Sequence, residues 1–391
     1  MDFQFSAEQE KFRQEVREFF DKELGPDWMV GIFHYEEEAE SDEEWALHLA
    51  MQRKLGSKGW LSISWPREYG GRGASRIDYT ILREEMAYYG APGMDAISYG
   101  VVVPTILNYG TEEQKRQHLP PLARGEGVWC EGFSEPDAGS DLASLNTRAI
   151  ENGDYFIVDG QKCWTTWGHR ADWGIFLFRT DPHAPKHRGI TMFLVDLKTP
   201  GITLNPVYNL LGLRGWCEIF FDQVRVPKQN MVGGKNQGWE VAGATLNHER
   251  TGIGWVGACR RSLDRLVKYA KENKSLAKNP IIRHRLASLA VEVEICRLFC
   301  YYVEWARENG LPAVHEASMA KNFVSDVSVR IAEAGLQILG LYGQLAKGSK
   351  WAPLGGTVEQ TYLSYPSWTI AAGSPEIQKI IIATRGLGLP R

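Results

Sequence analysis

No two of the six cysteines in this 391-residue chain form a Cys-x-x-Cys pair, and no histidine cluster accompanies them. That argues against a metal site, and in a chain this long it argues against a disulfide framework as well. Cys296 and Cys300 fall four apart on a helical pattern, so they share a face and read as two small apolar core residues. No basic excess is present. The formal net charge is −4, which excludes the electrostatic footprint of a nucleic-acid binder. No run approaches the roughly 20 uninterrupted apolar residues of a membrane span. The opening MDFQFSAEQEKF lacks the basic start and apolar core of a signal peptide, so a cytoplasmic location is the expectation. No Gly-x-Gly-x-x-Gly follows a strand pattern, which disfavours a Rossmann dinucleotide site.

What remains is an ordinary globular composition, 43% hydrophobic and 24% charged, too long for one core. Fourteen tryptophans imply large buried aromatic surfaces. The pattern changes twice along the chain. Residues 1–125 read as helical. Ser6 with Gln9 forms a capping box, Phe12, Val16, Phe19, Phe20 and Leu24 follow at helical spacing, and the acidic run Glu36–Glu44 leads into a helix near Asp42. Helical patterns resume from Tyr79, and Thr111 caps another start. Residues 126–235 read as short strands. Asp159-Gly160 gives a hairpin signal after Tyr155–Val158, and further runs follow at 173–178, 190–195, 202–206 and 219–226 without helices between them. Residues 236–391 return to long amphipathic helices with short connections, the mark of an antiparallel bundle. The class is therefore α+β: a helical domain, a central antiparallel β-barrel-like domain, and a C-terminal four-helix bundle.

Two segments carry chemistry. Ser134 to Asp141, S-E-P-D-A-G-S-D, mixes turn formers with hydroxyls and can turn N–H groups toward an anion or a polar ring edge. The same composition also makes plain surface turns. In Gln161 to Thr166, strand alternation puts Trp164 and Thr166 on one face, a flat aromatic beside a hydroxyl. That pair suits a planar heterocycle and equally suits core and rim.

Together these segments resemble the signature of the acyl-CoA dehydrogenase family. Supporting matches are W-P-R-E-Y-G-G from Trp65, Y-G-T-E-E-Q-K from Tyr109, F-F-D-Q-V-R-V-P at 220–227, A-S-M-A-K at 317–321, L-Q-I-L-G at 336–340 and G-S-P-E-I-Q at 373–378. The order of the three zones is also that family's. The resemblance implies FAD as cofactor, an acyl-CoA substrate and an electron-transfer flavoprotein as acceptor. It also implies a homotetramer (dimer of dimers) or a heterotetramer. It places Ser134 at the flavin ring edge, Gly139 and Ser140 between flavin and the CoA phosphates, and Trp164 and Thr166 beside the isoalloxazine. Gln337 and Gly340 match positions that reach a neighbouring subunit's FAD, and Ser374 and Glu376 match positions near the pyrophosphate and adenosine.

Two departures matter. The glutamate many relatives carry just before the glycine of G-S-P-E-I-Q is absent, because the chain reads Ala371-Ala372-Gly373. A second family position lies on the helix opening the third zone, where Leu246-Asn247-His248-Glu249-Arg250 puts Glu249 on the match. Glu249 is therefore the expected base for the weakly acidic α-proton, with Leu246 and Arg250 beside the substrate. The nearby Gly252, Gly254, Gly257 and Ala258 would allow close approach of helix and ligand. Asp95 is a remoter base candidate whose plainer role is a loop cap. The second departure is at Lys274–Pro280, where the family's Arg and Phe are replaced by Lys274 and Ala277. Lys274 keeps the charge without the guanidinium fork. Two other readings stay open: a non-catalytic or FAD-sharing subunit of a heteromeric dehydrogenase, and a flavin monooxygenase or oxidase on the same fold.

Overall fold

The computed structural model describes residues 4–25, 28, 41–249 and 252–390; of residues 247–249 it describes the backbone. In chain order the helices α1 (Ala7–Leu24), α2 (Asp42–Ser57), α3 (Arg76–Tyr89), α4 (Val103–Tyr109) and α5 (Glu112–Ala123) come first. Strands β1 (Trp129–Gly132), β2 (Arg148–Asn152), β3 (Tyr155–Thr166), β4 (Trp173–Arg179), β5 (Ile190–Asp196), β6 (Ile202–Val207), β7 (Trp216–Pro227) and β8 (Met231–Val232) follow. The chain then closes with α6 (Gly238–Glu249), α7 (Ile253–Glu272), α8 (Lys274–Lys278), α9 (Pro280–Glu308), α10 (Val314–Leu339), α11 (Thr357–Ile370) and α12 (Pro375–Ile381).

Local capping signals set four of the first five helix starts. Ser6, Ser41, Ser75 and Thr111 each accept from the backbone N–H three residues on. The residue there, Gln9, Glu44, Asp78 or Gln114, bonds back to the cap, which satisfies two orphan donors at once.

Among the described residues, those within 1–35, 74–91 and 250–391 form one compact unit, and those within 36–73 and 92–249 form another. In the helical unit α10 packs against α7, α9, α11 and α12, and α3 lies along α7. Val256, Leu263 and Leu266 of α7, Leu289, Val293 and Cys300 of α9, and Val324, Val327 and Ile331 of α10 fill its core. Gly257 is required where α7 meets α3: a Cβ there would stand 2.5 Å from the Glu84 carbonyl oxygen. Gly257 thus serves helix-to-helix approach at this point.

The other unit is built on a sheet of order β6-β7-β3-β2-β4-β5-β8, with β1 beside β4. The expected antiparallel ladder is present, but β1 pairs with β4 in parallel and β2 meets β4 in parallel at Arg148 and Arg179. The described strands follow an open path, so this is a mixed open sheet and not a closed barrel. Phe156, Phe176, Phe178, Phe193 and Phe221 form its core.

The hairpin expected at Asp159-Gly160 is not there. β3 runs straight through it with a bulge between Val158 and Gly160, and the β2–β3 turn lies between the paired residues Asn152 and Tyr155. Gly160 sits at φ +144, and a Cβ on it would come within 2.7 Å of Thr147. The glycine marks a bulge and a close approach, and Asp159 accepts from the Gln223 N–H across the ladder. Among the described residues no helix is long and apolar enough to cross a membrane.

Candidate active site

The loop after β1 is shaped by a buried carboxylate that the sequence reading passed over. Glu135 and Ala138 exchange two backbone hydrogen bonds (3.1 and 3.0 Å), which closes a tight turn over Pro136 and Asp137. The Glu135 carboxylate points inward and accepts from the N–H groups of Asn146 (2.6 Å) and Thr147 (2.9 Å). It also accepts from the Lys162 ammonium at 2.7 Å. Lys162, fully buried on β3, donates in addition to the Phe133 carbonyl at 3.1 Å. Burial pushes the Lys162 ammonium down to about 8, against the opposing pull of Glu135. Burial likewise works to raise the Glu135 carboxyl, but the Lys162 charge and the loop's N–H donors outweigh it and hold the group below its usual range. This pair locks both ends of the loop to β3. A motif search finds both residues, since they stand inside the two quoted motifs, but nothing in the sequence says that they touch.

Ser134, half-buried, is fixed by its carbonyl, which accepts from the Cys163 N–H at 3.0 Å. Gly139 and Ser140 stand exposed at the far end of the turn. On β3 a register shift between Lys162 and Thr165 turns Trp164 outward. Its indole is 63% exposed, and its backbone is left-handed at φ +59. Thr165 is buried, while Thr166 is half-buried on the open side with Trp164. A bulky residue at positive φ costs on the order of 1–3 kcal/mol and is kept only where the surroundings enforce it. An exposed flat indole, held in that conformation next to the loop of Ser134 and one residue from Thr166, fits a planar heterocyclic cofactor. The structure therefore brings Ser134, Gly139, Ser140, Trp164 and Thr166 into one unit.

The carboxylate positions contrast. Helix α6 is tied into its unit by a hydroxyl pair, Thr245 to Thr105 at 2.7 Å, and Leu246 is half-buried one residue on. Glu249 is the last residue of α6; its side chain and Arg250 lie outside the described residues. Gly252 then takes φ +69 and α7 begins at Ile253. At the other family position, Ala372 (φ +55) and Gly373 (φ +97) make a left-handed turn. The Gln378 side chain donates to the carbonyls of Ala372 (2.8 Å) and Gly373 (3.1 Å). The buried Lys321 ammonium donates to those of Thr369 (2.9 Å) and Gly373 (2.8 Å). Two motif residues whose role the sequence left blank thus brace this turn. Asp95 behaves as a cap: its carboxylate accepts from the Ser98 N–H.

The remaining candidates lie in the helical unit. Gln337 is exposed on α10 and accepts from Arg285 at 2.6 Å, and Gly340 caps α10 at φ +58. Ser374 precedes α12, and Glu376 is exposed in its first turn. Its own backbone N–H and the Ser374 side chain hold the Glu376 carboxyl below the usual range. Lys274 is exposed at the start of α8, and Ala277 is half-buried.

Comparison with known proteins agrees along the whole chain. Models of the N-terminal, middle and C-terminal domains of acyl-CoA dehydrogenases match residues 6–126, 130–224 and 236–387. The acyl-CoA dehydrogenase FadE26 of Mycobacterium tuberculosis is 32% identical over 402 residues, covering 100% of this chain and 99% of the relative. The solved Tcur3481-Tcur3483 steroid ACAD superimposes with a TM-score of 0.90 at 33% identity, covering 100% of both chains. The ChsE4-ChsE5 complex from Mycobacterium tuberculosis gives 0.87 at 32% identity, again over 100% of both chains.

Proposed function

Because the chain belongs to the acyl-CoA dehydrogenase family, FAD-dependent oxidoreductases of the CH–CH group, we propose that Glu249 is its catalytic base and that the product is a trans-2-enoyl-CoA. Bound FAD supplies the electron chemistry by taking the β-hydride. The chain's own task is to place the thioester and remove the α-proton. One observation carries the reading. The turn at Ala371–Gly373 offers no carboxylate and is braced by Lys321 and Gln378 as a structural turn, whereas α6 ends on a glutamate. The Thr105–Thr245 pair holds the helix that presents it. Ser134, Trp164 and Thr166 flank the flavin ring in this reading, with Gly139 and Ser140 toward the CoA phosphates. Leu246 and Arg250 line the acyl side, and Lys274, Gln337, Gly340, Ser374 and Glu376 serve the nucleotide half. An electron-transfer flavoprotein takes the electrons away, and the enzyme works in the cytoplasm.

A heteromeric assembly is the second reading. Lys274 is exposed and lacks the fork needed to grip a phosphate bidentately, and both solved relatives are two-protein assemblies by name. In this reading another subunit completes the nucleotide site. The test is anaerobic bleaching of the flavin's visible band with straight-chain, branched and ring-bearing acyl-CoAs, on wild type and Glu249→Gln. Loss of a general base lowers the bleaching rate by a factor on the order of 10²–10⁴. Unchanged bleaching in the variant removes Glu249 from the mechanism. A wild type that holds FAD and is bleached by no thioester points to the missing subunit.

A further inference from the structure

The turn that follows β3, directly beyond Thr166, is gripped by α2. Trp167, three residues beyond Trp164, also has a left-handed backbone at φ +52. Its N–H donates to the Gly215 carbonyl at 2.9 Å, and its own carbonyl accepts from Arg170 and Ala171 at 2.8 and 3.0 Å. Its indole meets two rings of α2 edge-on: His48 at 4.9 Å and 83°, and Trp45 at 5.4 Å and 86°. Those two rings lie parallel, 5.1 Å apart and within 4°. Arg170 closes the outer side, its guanidinium 5.4 Å over Trp45 and bonded to Asp42 at 2.9 Å.

His48 stands at the centre of this stack. Its Nδ1 accepts from the Gly93 N–H at 3.2 Å, which leaves the proton of the neutral ring on Nε2. Nε2 is buried and makes no conventional hydrogen bond among the described residues. Edge-to-face contact with an indole is the arrangement in which a π face compensates a buried N–H. The Gly93 loop is equally tight, since a Cβ on Gly93 would stand 2.6 Å from the Gln52 nitrogen. Two residues on, Asp95 caps Ser98, whose hydroxyl accepts from the Trp129 N–H at the start of β1, the strand leading to Ser134. One side chain therefore contacts the turn after β3 and fixes the Gly93 loop, which is linked through Asp95 and Ser98 to the strand leading to Ser134.

We infer that His48 is a positioning residue for the flavin-facing segment. Wedged between Trp45 and Trp167 and fixed by Gly93, it holds the strained backbone that sets Trp164 and Thr166. Only Thr165 and Thr166 separate the two left-handed tryptophans, so a displaced Trp167 moves Trp164 directly. This rests on the reading of Trp164 and Thr166 as flavin neighbours given above.

The experiment compares His48→Phe, His48→Asn, Arg170→Ala and Trp164→Ala as purified holoproteins. Thermal melting verifies folding, and the readouts are the flavin's visible spectrum and the FAD dissociation constant on reconstitution of the apoprotein. His48→Phe keeps the stack but removes the acceptor for Gly93. A misplaced site costs on the order of tenfold in FAD affinity, with an altered flavin band. His48→Asn returns an acceptor and recovers part of the loss. Arg170→Ala loosens only the outer end and gives the same spectral change at smaller amplitude, which keeps the test open if His48→Phe does not fold. Wild-type spectra and affinity in the His48 and Arg170 variants, beside a changed Trp164→Ala, overturn the positioning role alone. An unchanged Trp164→Ala overturns the flavin-side reading instead, and His48 falls with it.

Discussion

The two compact units bury their polar groups by opposite strategies. In the helical unit charge is concentrated. Glu84, with no exposed surface, accepts from Arg297 (2.8 Å), Arg260 and the Tyr301 hydroxyl (2.6 Å), and Arg13 stands at 3.4 Å. One carboxylate of α3 thereby holds α1, α7 and α9. Burial works to raise its pKa, and Arg297, Arg260, Tyr301 and Arg13 overcome that and hold it below the usual range. In the sheet-containing unit the buried acidic and basic side chains among the described residues are sparser: the Lys162–Glu135 pair, the capping carboxylate of Asp95, and neutral imidazoles. His48, His118 and His169 are each pushed down to about 4, principally by burial. His118 lies edge-on to Trp129 and Trp173 just as His48 does to Trp167. A carboxylate shared among guanidiniums ties helices at long range, while a neutral histidine among indoles packs as one more aromatic ring. The first stays charged as the pH falls through the range where the second must begin to charge.

The largest effect should come from breaking the charge hub. Glu84→Ala leaves Arg13, Arg260 and Arg297 facing one another without their common anion, and removing one partner of a buried pair costs about 3–5 kcal/mol. Denaturant unfolding should show that loss, or the variant should fail to accumulate folded. A loss under ~1 kcal/mol would mean the arginines find water, and that the hub is no hub.

Acid should separate the units. A histidine whose folded pKa is depressed binds its proton in the unfolded chain first. Stability therefore falls as the pH drops from about 6.5, the unfolded value, toward about 4, and for His48 the loss is at most about 3 kcal/mol. Glu84 behaves differently. Its depressed pKa contributes stability that is complete above the unfolded carboxyl value of 4.5 and is lost only as the pH falls through its lower folded value. Hydrogen exchange, corrected for intrinsic rates, should show the sheet-containing unit losing protection between pH 6.5 and 4 while the helical unit still holds. Simultaneous loss would show that the difference in strategy has no separate consequence for stability.

What the sequence makes legible follows the range of the interactions. Capping boxes at Ser6 and Thr111 are visible because cap and partner lie three residues apart. The order of helical, strand and helical zones is visible because period is a local property. Cys296 and Cys300, read as core, are buried. Asp159-Gly160 misled because the dipeptide specifies a left-handed or extended glycine without saying whether the chain reverses there; the ladder to β7, about 60 residues away, made it a bulge. The parallel pairing of β1 with β4 was invisible for the same reason. At the site the motifs named Ser134 and Trp164, but Glu135 meets Lys162 from 27 positions away, and Arg13 and Tyr301 reach Glu84 across 71 and 217. Position in a motif identifies a residue type, and only the fold says what it touches.

The smallest effect is expected where the second strategy reaches the proposed base. The Thr105–Thr245 contact is a neutral hydroxyl pair in the sheet-containing unit; the Val101 and Val241 carbonyls, each four residues back, are within reach, so one hydroxyl donates across the pair and the other to its own backbone carbonyl. Thr245→Val removes one hydroxyl with little change of shape, and Thr105 keeps its helical acceptor, so the stability loss should be about 1 kcal/mol. Stability alone says little here; the informative quantity is how kcat and KM divide the effect. If α6 merely packs, the variant should melt slightly earlier and turn over as before. If the pair sets the end of α6, kcat should fall several-fold at unchanged KM, because the base is displaced while the thioester still binds. An effect of that size from a neutral contact, beside the much larger stability cost at Glu84, would place the stability of the molecule mainly in its charge hub and its precision in the uncharged contacts of the other unit.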